Sequence, residues 1–117
     1  MQVGKWNEVE AKGVSEPGAS GVTIRVLMGD NVSAPTFVMR HFEVAPGGGT
    51  PYHSHAWEHE VYVLSGKGTV RRQGGETELE PGSFVYVAPD EEHNFVNTGA
   101  APFVFLCAIP AKKSYVK

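Results

Sequence analysis

The chain has few of the features that would link it covalently or attach it to a charged partner. Its 117 residues include a single cysteine, Cys107, so an internal disulfide framework is excluded. Ten Lys and Arg against 13 Asp and Glu give a net charge of −3, so neither nucleic acid nor an anionic membrane is an expected partner. No apolar run approaches the ~18 residues that span a bilayer, and residues 1–13 lack the apolar stretch of a secretion signal. We therefore expect a cytoplasmic protein without membrane contact.

Helical periodicity is missing as well, since no i, i+3, i+4, i+7 pattern of apolar residues persists for three turns. Instead, 14 Gly and 8 Pro separate short segments of alternating polarity. The length suits one domain, residues 1–117, and the pattern predicts an all-β sandwich or barrel with a polar tail at 111–117. The predicted strands are an edge strand near Trp6 and then residues 22–28, 37–44, 61–64, 68–73, 76–79, 83–88 (buried), 93–97 and 103–109.

What the chain does contain is a cluster of histidines. Three of its five, His53, His55 and His59, fall within seven residues, directly after a Pro-Gly-rich turn predicted at 46–51. On an extended strand, residues two apart share a face, so His53 and His55 should point the same way. Neutral imidazoles on one face are suitable ligands for a transition metal.

The same cluster contains the pattern H-x-x-E-H at residues 55–59, which in zinc proteases lies on a helix. The flanking residues oppose a helix, because three glycines and Pro51 precede the pattern and a short strand with a turn signal follows it. We therefore predict a tight bend at 56–58, with His59 at the start of the next strand.

In this segment the sequence resembles the cupin superfamily. The first cupin motif, G-x5-H-x-H-x3-E-x6-G, is met by Gly47, His53, His55 and Gly66. His59 stands where the family usually has Glu, which changes the ligand set of the family from three histidines and one glutamate to four histidines.

A fourth histidine, His93, lies at the start of a predicted strand further along the chain. It belongs to a segment that resembles the second cupin motif, G-x5-P-x-G-x2-H-x3-N, through Gly82, His93 and Asn97. Ala88 and Asp90 replace the usual Pro and Gly, and an Asp is well tolerated in a turn.

The resemblance is to small single-domain, four-histidine cupins of the manganese-binding type. It implies a cupin jelly-roll barrel, which is an antiparallel double-stranded β-helix, and one divalent metal ion. Manganese is the expected ion, with Fe, Ni, Cu or Zn as alternatives, because affinity and supply favour different metals. Small cupins commonly pair through sheet edges, so we also expect a homodimer. The expected metal ligands are His53, His55, His59 and His93.

Further candidates lie on two strands. Arg40 and Phe42 share one face of strand 37–44, and the sequence leaves open which face is internal. An internal Arg40 would anchor a substrate carboxylate or enolate, whereas an external one would form a solvent-exposed salt bridge. The resemblance places Phe105 and Cys107 near the metal, and for Cys107 an inert buried thiol is the alternative.

Three residues of the histidine region and one of the neighbouring strand complete the set. Glu58 and Glu60 flank His59, and each is either a hydrogen-bond acceptor for a ligating histidine or simply solvated. Trp57, at the predicted bend, is expected to line the mouth of a substrate pocket that also contains Phe42 and Phe105. His41 belongs to no motif and is expected to have a structural role.

Together these residues predict a metal-dependent enzyme that acts on a small organic molecule. Oxygenase or related oxidoreductase chemistry is the first hypothesis, with Arg40, Glu58 and Cys107 as candidate catalytic residues. The alternatives are Lewis-acid carbonyl chemistry, as in an isomerase, cyclase or lyase, and a non-catalytic protein that binds a metal or small ligand.

Overall fold

The computed structural model describes residues 1–111 and is built almost entirely from β-strands. Two short 3-10 helices, Trp6–Glu8 and Asp30–Val32, flank the first long strand. In chain order the strands of the described region are β1 (Lys12–Gly13), β2 (Ser20–Met28), β3 (Phe37–Gly49), β4 (His59–Ser65), β5 (Gly68–Arg72), β6 (Gly75–Leu79), β7 (Phe84–Val87), β8 (His93–Val96) and β9 (Phe103–Pro110).

The strands form one curled antiparallel sheet in the order β6-β5-β8-β3-β9-β4-β7, with β2 beside β3 and β1 beside β2. The long strand β3 connects the two halves of this sheet. Residues 37–44 of β3 pair with β9, whereas Gly49 at its end pairs with Val96 of β8. The predicted all-β jelly roll is therefore confirmed, and β3 is the strand that turns the sheet into a half-barrel.

The predicted turn at 46–51 is wrong, because β3 continues through Pro46 to Gly49. Two glycines explain why. Gly47 adopts a φ of 80°, and Gly48 packs so closely on the backbone of Ser20 that a Cβ there would overlap its carbonyl oxygen. The glycines thus bend the strand without ending it, and the chain leaves the sheet only after Gly49.

The N-terminal segment also differs from the prediction. The residues around Trp6 form a 3-10 helix, and the edge strand lies further on, at β1. Trp6 stacks on His41 with ring centroids 4.8 Å apart and an interplanar angle of 7°. This contact covers His41, which is 4% exposed, and gives it the structural role expected from the sequence.

The core consists of residues that alternate along β3, β4 and β9 and point to the inside of the half-barrel. Four of them are fully buried, namely Val44, Val63, Phe103 and Phe105. Each such side chain stabilises the fold by about 1.5–3 kcal/mol relative to an exposed one. The buried amide of Asn97 donates to the carbonyl oxygens of Val44 and Ala101, both at 2.8 Å, and so ties the end of β8 to β3.

Strand β7 was predicted to be buried and instead lies at an edge of the sheet. Phe84 is 82% exposed and Tyr86 56% exposed, while Val87 is buried. The prediction failed because β7 is apolar on both faces, so its sequence does not show the alternation of a half-exposed strand.

Two further findings concern the ends of the chain and the membrane. Within residues 1–111, no helix is long and apolar enough to cross a membrane. Most of the predicted polar tail, residues 112–117, lies outside the described residues. Ala111, however, is only 6% exposed, and its N–H donates to the carbonyl oxygen of Thr36 at 2.8 Å, so this residue belongs to the folded domain and not to the predicted tail.

A row of four side chains crosses the outer face of β3, β9, β4 and β7. In register these are His41, Leu106, Tyr62 and Phe84, which we call the outer row. Tyr62 is 50% exposed, and Phe84 lies beside the unpaired edge of β7. His41 is covered by Trp6, but Tyr62 and Phe84 place apolar surface near an open strand edge, which is typical of sites where protein chains associate.

The homodimer expected from the sequence stays a prediction, and the outer row supplies a face for it. A fully buried aromatic side chain removes ~150–250 Å² of surface from water. The exposed parts of Phe84, Tyr86 and Tyr62 would therefore supply about half of the ~800 Å² that each partner of a standard interface buries. We expect a dimeric mass by light scattering and a monomeric mass for Phe84→Asp. Thr77→Asp, on the opposite edge strand β6, should leave the mass unchanged, and a dimeric Phe84→Asp protein would disprove this interface.

Candidate functional site

The site lies at one end of the half-barrel, where backbone pairing brings two distant histidines together. His53 and His93 form an isolated β-bridge in which each N–H donates to the other residue's carbonyl oxygen, at 3.1 and 3.0 Å. His93 begins β8, and His59 begins β4. Each ring is thus carried by a backbone segment whose position the sheet or this bridge determines.

The segment between β3 and β4 is not a regular strand, although burial alternates along it and His53 and His55 are both less exposed than Ser54 between them. Their rings are adjacent, with centroids 4.3 Å apart. A bend at residues 56–57 separates His55 from β4, as predicted, and residues 55–59 contain no helical turn, which excludes the helical metalloprotease arrangement. Asp90, with a φ of 66°, donates its N–H to the carbonyl oxygen of His55 at 2.6 Å and anchors this bend to the loop before β8.

The four imidazole rings form a closed quadrilateral. Neighbouring ring centroids are 4.3 Å apart for His53 and His55, 5.3 Å for His55 and His59, 5.1 Å for His59 and His93, and 5.5 Å for His93 and His53. The sequence prediction that positions 53, 55, 59 and 93 come together is therefore met by the structure. His41 is not part of the group, since it lies on the outer face against Trp6.

Burial keeps at least three of these rings neutral. It is the largest cause that lowers the pKa of His53 and of His55, and neighbouring histidines lower both values further. For His59, burial and then the positive charge of Arg40 lower the pKa to about 3. Near pH 7 these imidazoles therefore carry a free lone pair, which is the form that binds a metal ion.

Hydrogen-bond partners indicate which nitrogen of each ring carries the proton. Nδ1 of His93 lies 3.0 Å from the carbonyl oxygen of Glu91, and a carbonyl can only accept, so Nδ1 is protonated and Nε2 is bare. Nδ1 of His53 lies 3.8 Å from the Glu16 carboxylate, which favours the same arrangement. Nε2 of His59 is buried and has no hydrogen-bond partner among the described residues.

The donor chemistry therefore fits a metal ion: clustered neutral imidazoles, and one buried ring nitrogen that nothing satisfies. The positions of the side chains fit an ion less well than their chemistry does. Considering residues 1–111, no group of three or more His, Cys, Asp and Glu side chains is arranged to hold an ion as it stands. The rings are gathered, but their side chains would have to adjust for four nitrogen atoms to reach one ion.

Arg40 points inward, which settles the alternative that the sequence left open. Its Nη2 lies 3.0 Å from the sulfur of Cys107 and 3.5 Å from Nδ1 of His59, and the guanidinium carbon lies 4.9 Å from the ring centroid of Phe42. Nε of Arg40 is buried without a hydrogen-bond partner in the part of the chain that the structure describes. Cys107 is buried beside it, and burial raises the pKa of the thiol while Arg40 acts in the opposite direction.

A cavity of about 120 Å³ opens beside these groups. Phe42 and Phe105, predicted pocket residues, line it and stack with centroids 5.1 Å apart. The remaining lining residues are Val14, Glu16, Val22, Ile24, Arg40, Thr50, Pro51, His53, His55, His59, His93, Phe95 and Cys107. Because ligand pockets usually measure ~300–1,000 Å³, this cavity would enclose only the reacting part of a larger substrate.

Two predicted site residues lie outside the cavity lining. Trp57 stacks on His55 with ring centroids 4.4 Å apart and an interplanar angle of 9°, and it is not among the residues that line the cavity. Glu58 is exposed and is not among the lining residues; after desolvation, its negative charge is the next cause that raises the pKa of Tyr86. A catalytic role for Glu58 thus stays a prediction without a contact to the cavity.

Phe95 and Glu16, which lie against histidines of the group, are among the lining residues that the sequence analysis missed. Phe95 follows His93 by two residues on the same strand, so the alternation along β8 would have identified it. Glu16 lies in the loop before β2 and reaches the cavity beside His53. Nothing in its local sequence marks it, because only the folded chain brings this loop against residues 50–53.

A curled antiparallel sheet with a histidine cluster at one end defines a β-barrel protein of the jelly-roll class. Residues 40–109 match the cupin domain, and the chain belongs to the cupin family. It is similar over 96% of its length to the solved structure of the polyketide cyclase RemF from Streptomyces resistomycificus, with 38% identity, a TM-score of 0.90 and 80% of that chain covered.

Two other similar proteins align with this chain over a smaller part of their own length. Over 66 residues, or 51% of this chain, it is 47% identical to a glucose-6-phosphate isomerase of Thermococcus gammatolerans, and the match spans 35% of that isomerase. The chain thus spans about a third of the length of such isomerases. It is 30% identical over 83 residues to the tetracenomycin polyketide synthase protein TcmJ of Streptomyces glaucescens, covering 70% of this chain and 56% of TcmJ.

The low pKa of His59 predicts a pH-dependent stability. The folded value of about 3 is below the unfolded value of ~6.5, so the unfolded chain takes up the proton first. The stabilisation is complete above about pH 6.5 and is lost as the pH falls towards 3. The free energy of unfolding of chelator-treated protein, measured with urea, should fall between pH 8 and pH 5. This fall should be about 2 kcal/mol larger in the wild type than in His59→Gln. Equal losses in both proteins would show that His59 is not held neutral.

Proposed function

We propose that this protein is a metal-dependent cupin enzyme that catalyses redox-neutral carbonyl chemistry, a cyclisation or isomerisation, on a largely apolar small molecule. The observation that carries the proposal is the closed group of four imidazoles beside an inward-facing arginine in an apolar cavity. Similarity to a polyketide cyclase over nearly the whole chain supports the same class of reaction.

The metal ion would be held by His53, His55, His59 and His93. When bound, such an ion polarises a substrate carbonyl as a Lewis acid. The unsatisfied Nε2 of His59 supports the assignment, because a buried ring nitrogen without a partner costs ~1–3 kcal/mol and ligation removes that cost. Manganese remains the ion expected from the family resemblance, and imidazole ligands suit Fe, Ni, Cu and Zn as well.

Arg40 would stabilise negative charge on the substrate. No carboxylate of the described chain forms an ion pair with its guanidinium, and its Nε–H is buried without an acceptor. A buried cation in this situation favours an anionic ligand. An enolate or carboxylate oxygen beside Arg40 would receive a charge-assisted hydrogen bond at the stage when negative charge develops.

The lining of the cavity favours an apolar carbonyl compound over a sugar phosphate. Val22, Ile24, Phe42, Phe95 and Phe105 line it with apolar side chains. Arg40 is the only lysine or arginine among the described lining residues, whereas a phosphate with a charge of about −1.5 to −2 is usually held by several donors. Of the two activities named for the similar proteins, cyclisation therefore agrees better with this site.

The oxygenase predicted first from the sequence has no specific support among these observations. A carbonyl reaction requires charge stabilisation and exclusion of water, which Arg40 and the apolar lining offer. Oxygenase chemistry is therefore retained as an outcome of the experiments below, together with a binding protein that has no catalytic activity.

The ligand assignment predicts a loss of metal in single variants. His53→Ala and His93→Ala should each reduce the metal content of protein purified from cells, measured by elemental mass spectrometry, because each removes one donor of four. His41→Ala removes a histidine that lies on the outer face and should keep its metal. Full metal content in the first two variants would refute the site.

The reaction class predicts how activity depends on metal and oxygen. With a linear poly-β-ketone as the probe, cyclisation should proceed under nitrogen and survive exchange of manganese for zinc. Arg40→Met should lower kcat/KM by ~10²–10³-fold, and Arg40→Lys should restore part of it, because removal of one oxyanion donor has an effect of this size. Dioxygen consumption that disappears with zinc would instead establish an oxygenase, and absence of turnover with every metal would favour a binding protein.

A further inference from the structure

We propose that Cys107, in contact with Arg40, is a positioning residue that holds His59 in the tautomer in which Nδ1 carries the proton and the buried Nε2 is bare. The inference rests on the proposed metal site, but it concerns a state of the metal-free protein and can be tested there. It gives Cys107 a role other than catalysis and other than filling space in the core.

The contacts of three side chains carry the inference. The sulfur of Cys107 lies 3.4 Å from Nδ1 of His59 and 3.0 Å from Nη2 of Arg40. A guanidinium can only donate, so at 3.0 Å the sulfur is an acceptor for Arg40. Nη2 of Arg40 and Nδ1 of His59 are 3.5 Å apart, which is longer than an ordinary hydrogen bond from a nitrogen donor. The 3.4 Å between Nδ1 of His59 and the sulfur of Cys107 is an ordinary length for a hydrogen bond to the larger sulfur atom. The geometry therefore favours a proton on Nδ1 that is donated to the sulfur.

The opposite tautomer is less favourable on the same evidence. It would place the proton on Nε2, where a buried N–H has no acceptor among residues 1–111, and would leave Nδ1 dependent on a weak S–H donor or the distant guanidinium. His59 is 6% exposed, so water does not readily supply the missing partner. Protonation of Nδ1 leaves at Nε2 only a lone pair, which a metal ion can satisfy.

The neighbouring histidines show the same arrangement with other acceptors. Nδ1 of His93 donates to the Glu91 carbonyl oxygen at 3.0 Å, and Nδ1 of His53 lies 3.8 Å from the Glu16 carboxylate. Ligating histidines usually donate their second N–H to such an oxygen, which fixes the tautomer and orients the ring. At His59 the corresponding acceptor is a thiol sulfur, and Arg40 holds it in place.

The decisive measurement is the tautomer of His59 in chelator-treated protein near neutral pH, from ¹⁵N chemical shifts that distinguish a protonated from a bare ring nitrogen. We expect the proton on Nδ1 in the wild type. In Cys107→Val, which keeps the bulk and removes the acceptor, a substantial share of the proton should move to Nε2. Cys107→Ser restores an acceptor and should restore the wild-type tautomer, which a purely packing role would not predict.

Metal affinity provides a second readout. Competition of a chelator for Mn²⁺ and Zn²⁺ should show ~10–100-fold weaker binding in Cys107→Val, the usual effect of losing such a partner, and a smaller change in Cys107→Ser. Ile109→Val, a truncation two residues along the same face of β9, is the matched packing control and should bind metal like the wild type. Thermal unfolding of each variant checks that it is folded.

The outcomes separate this inference from the proposed function. A proton on Nε2 of His59 in the wild type, or on Nδ1 in both wild type and Cys107→Val, overturns the role of Cys107 whether or not metal binds. Absence of metal binding by a wild type with Nδ1 protonated and dependent on Cys107 would refute the metal site and leave the positioning by Cys107 established.

Discussion

The mutual backbone pairing of His53 with His93 is the contact on which the site depends. It pairs the irregular segment between β3 and β4 directly with the first residue of β8, and the hydrogen bond from Asp90 to His55 supports the same placement. Two hydrogen bonds each contribute only ~0.5–1.5 kcal/mol. Their effect is larger than that energy suggests, since they place one imidazole from each of two distant segments side by side while β4 and the bend bring the other two.

The site concentrates features that oppose stability. Three neutral imidazoles lie around one small cavity, together with an arginine that has no carboxylate partner and a buried ring nitrogen that has no hydrogen bond among residues 1–111. An apolar replacement of several of these groups would satisfy the fold better, because a buried charge is destabilising unless it is paired. The aromatic stack of Phe42 and Phe105 and the fully buried residues beneath it offset this cost. Residues that destabilise the fold locally and are nevertheless kept are typical of a functional site.

The sequence predicted the parts of this protein that depend on local patterns. Alternating polarity located most strands, and the spacing of the histidines, with the family resemblance, identified the four rings that the fold gathers. It did not locate the interior face of β3, because Arg40 and His41 are each polar and stand on opposite faces. It also missed Glu16 and misplaced Trp57, since loop packing depends on contacts between segments distant in sequence. The passage of β3 through Pro46 was missed because a Pro-Gly run more often ends a strand than bends it.

Arg40 connects the electrostatics of the site with the kind of substrate that it can bind. Its positive charge lowers the pKa of His59 and so helps to keep a metal-binding lone pair available. The same charge lies close to the position that a divalent cation would occupy, and two positive groups repel unless an anion lies between them. A ligand with an anionic oxygen resolves this repulsion, since it interacts favourably with the guanidinium and with the ion. A neutral ligand would leave the repulsion in place, so with an ion bound the charges of the site would favour the enolate or carboxylate of the proposed reaction.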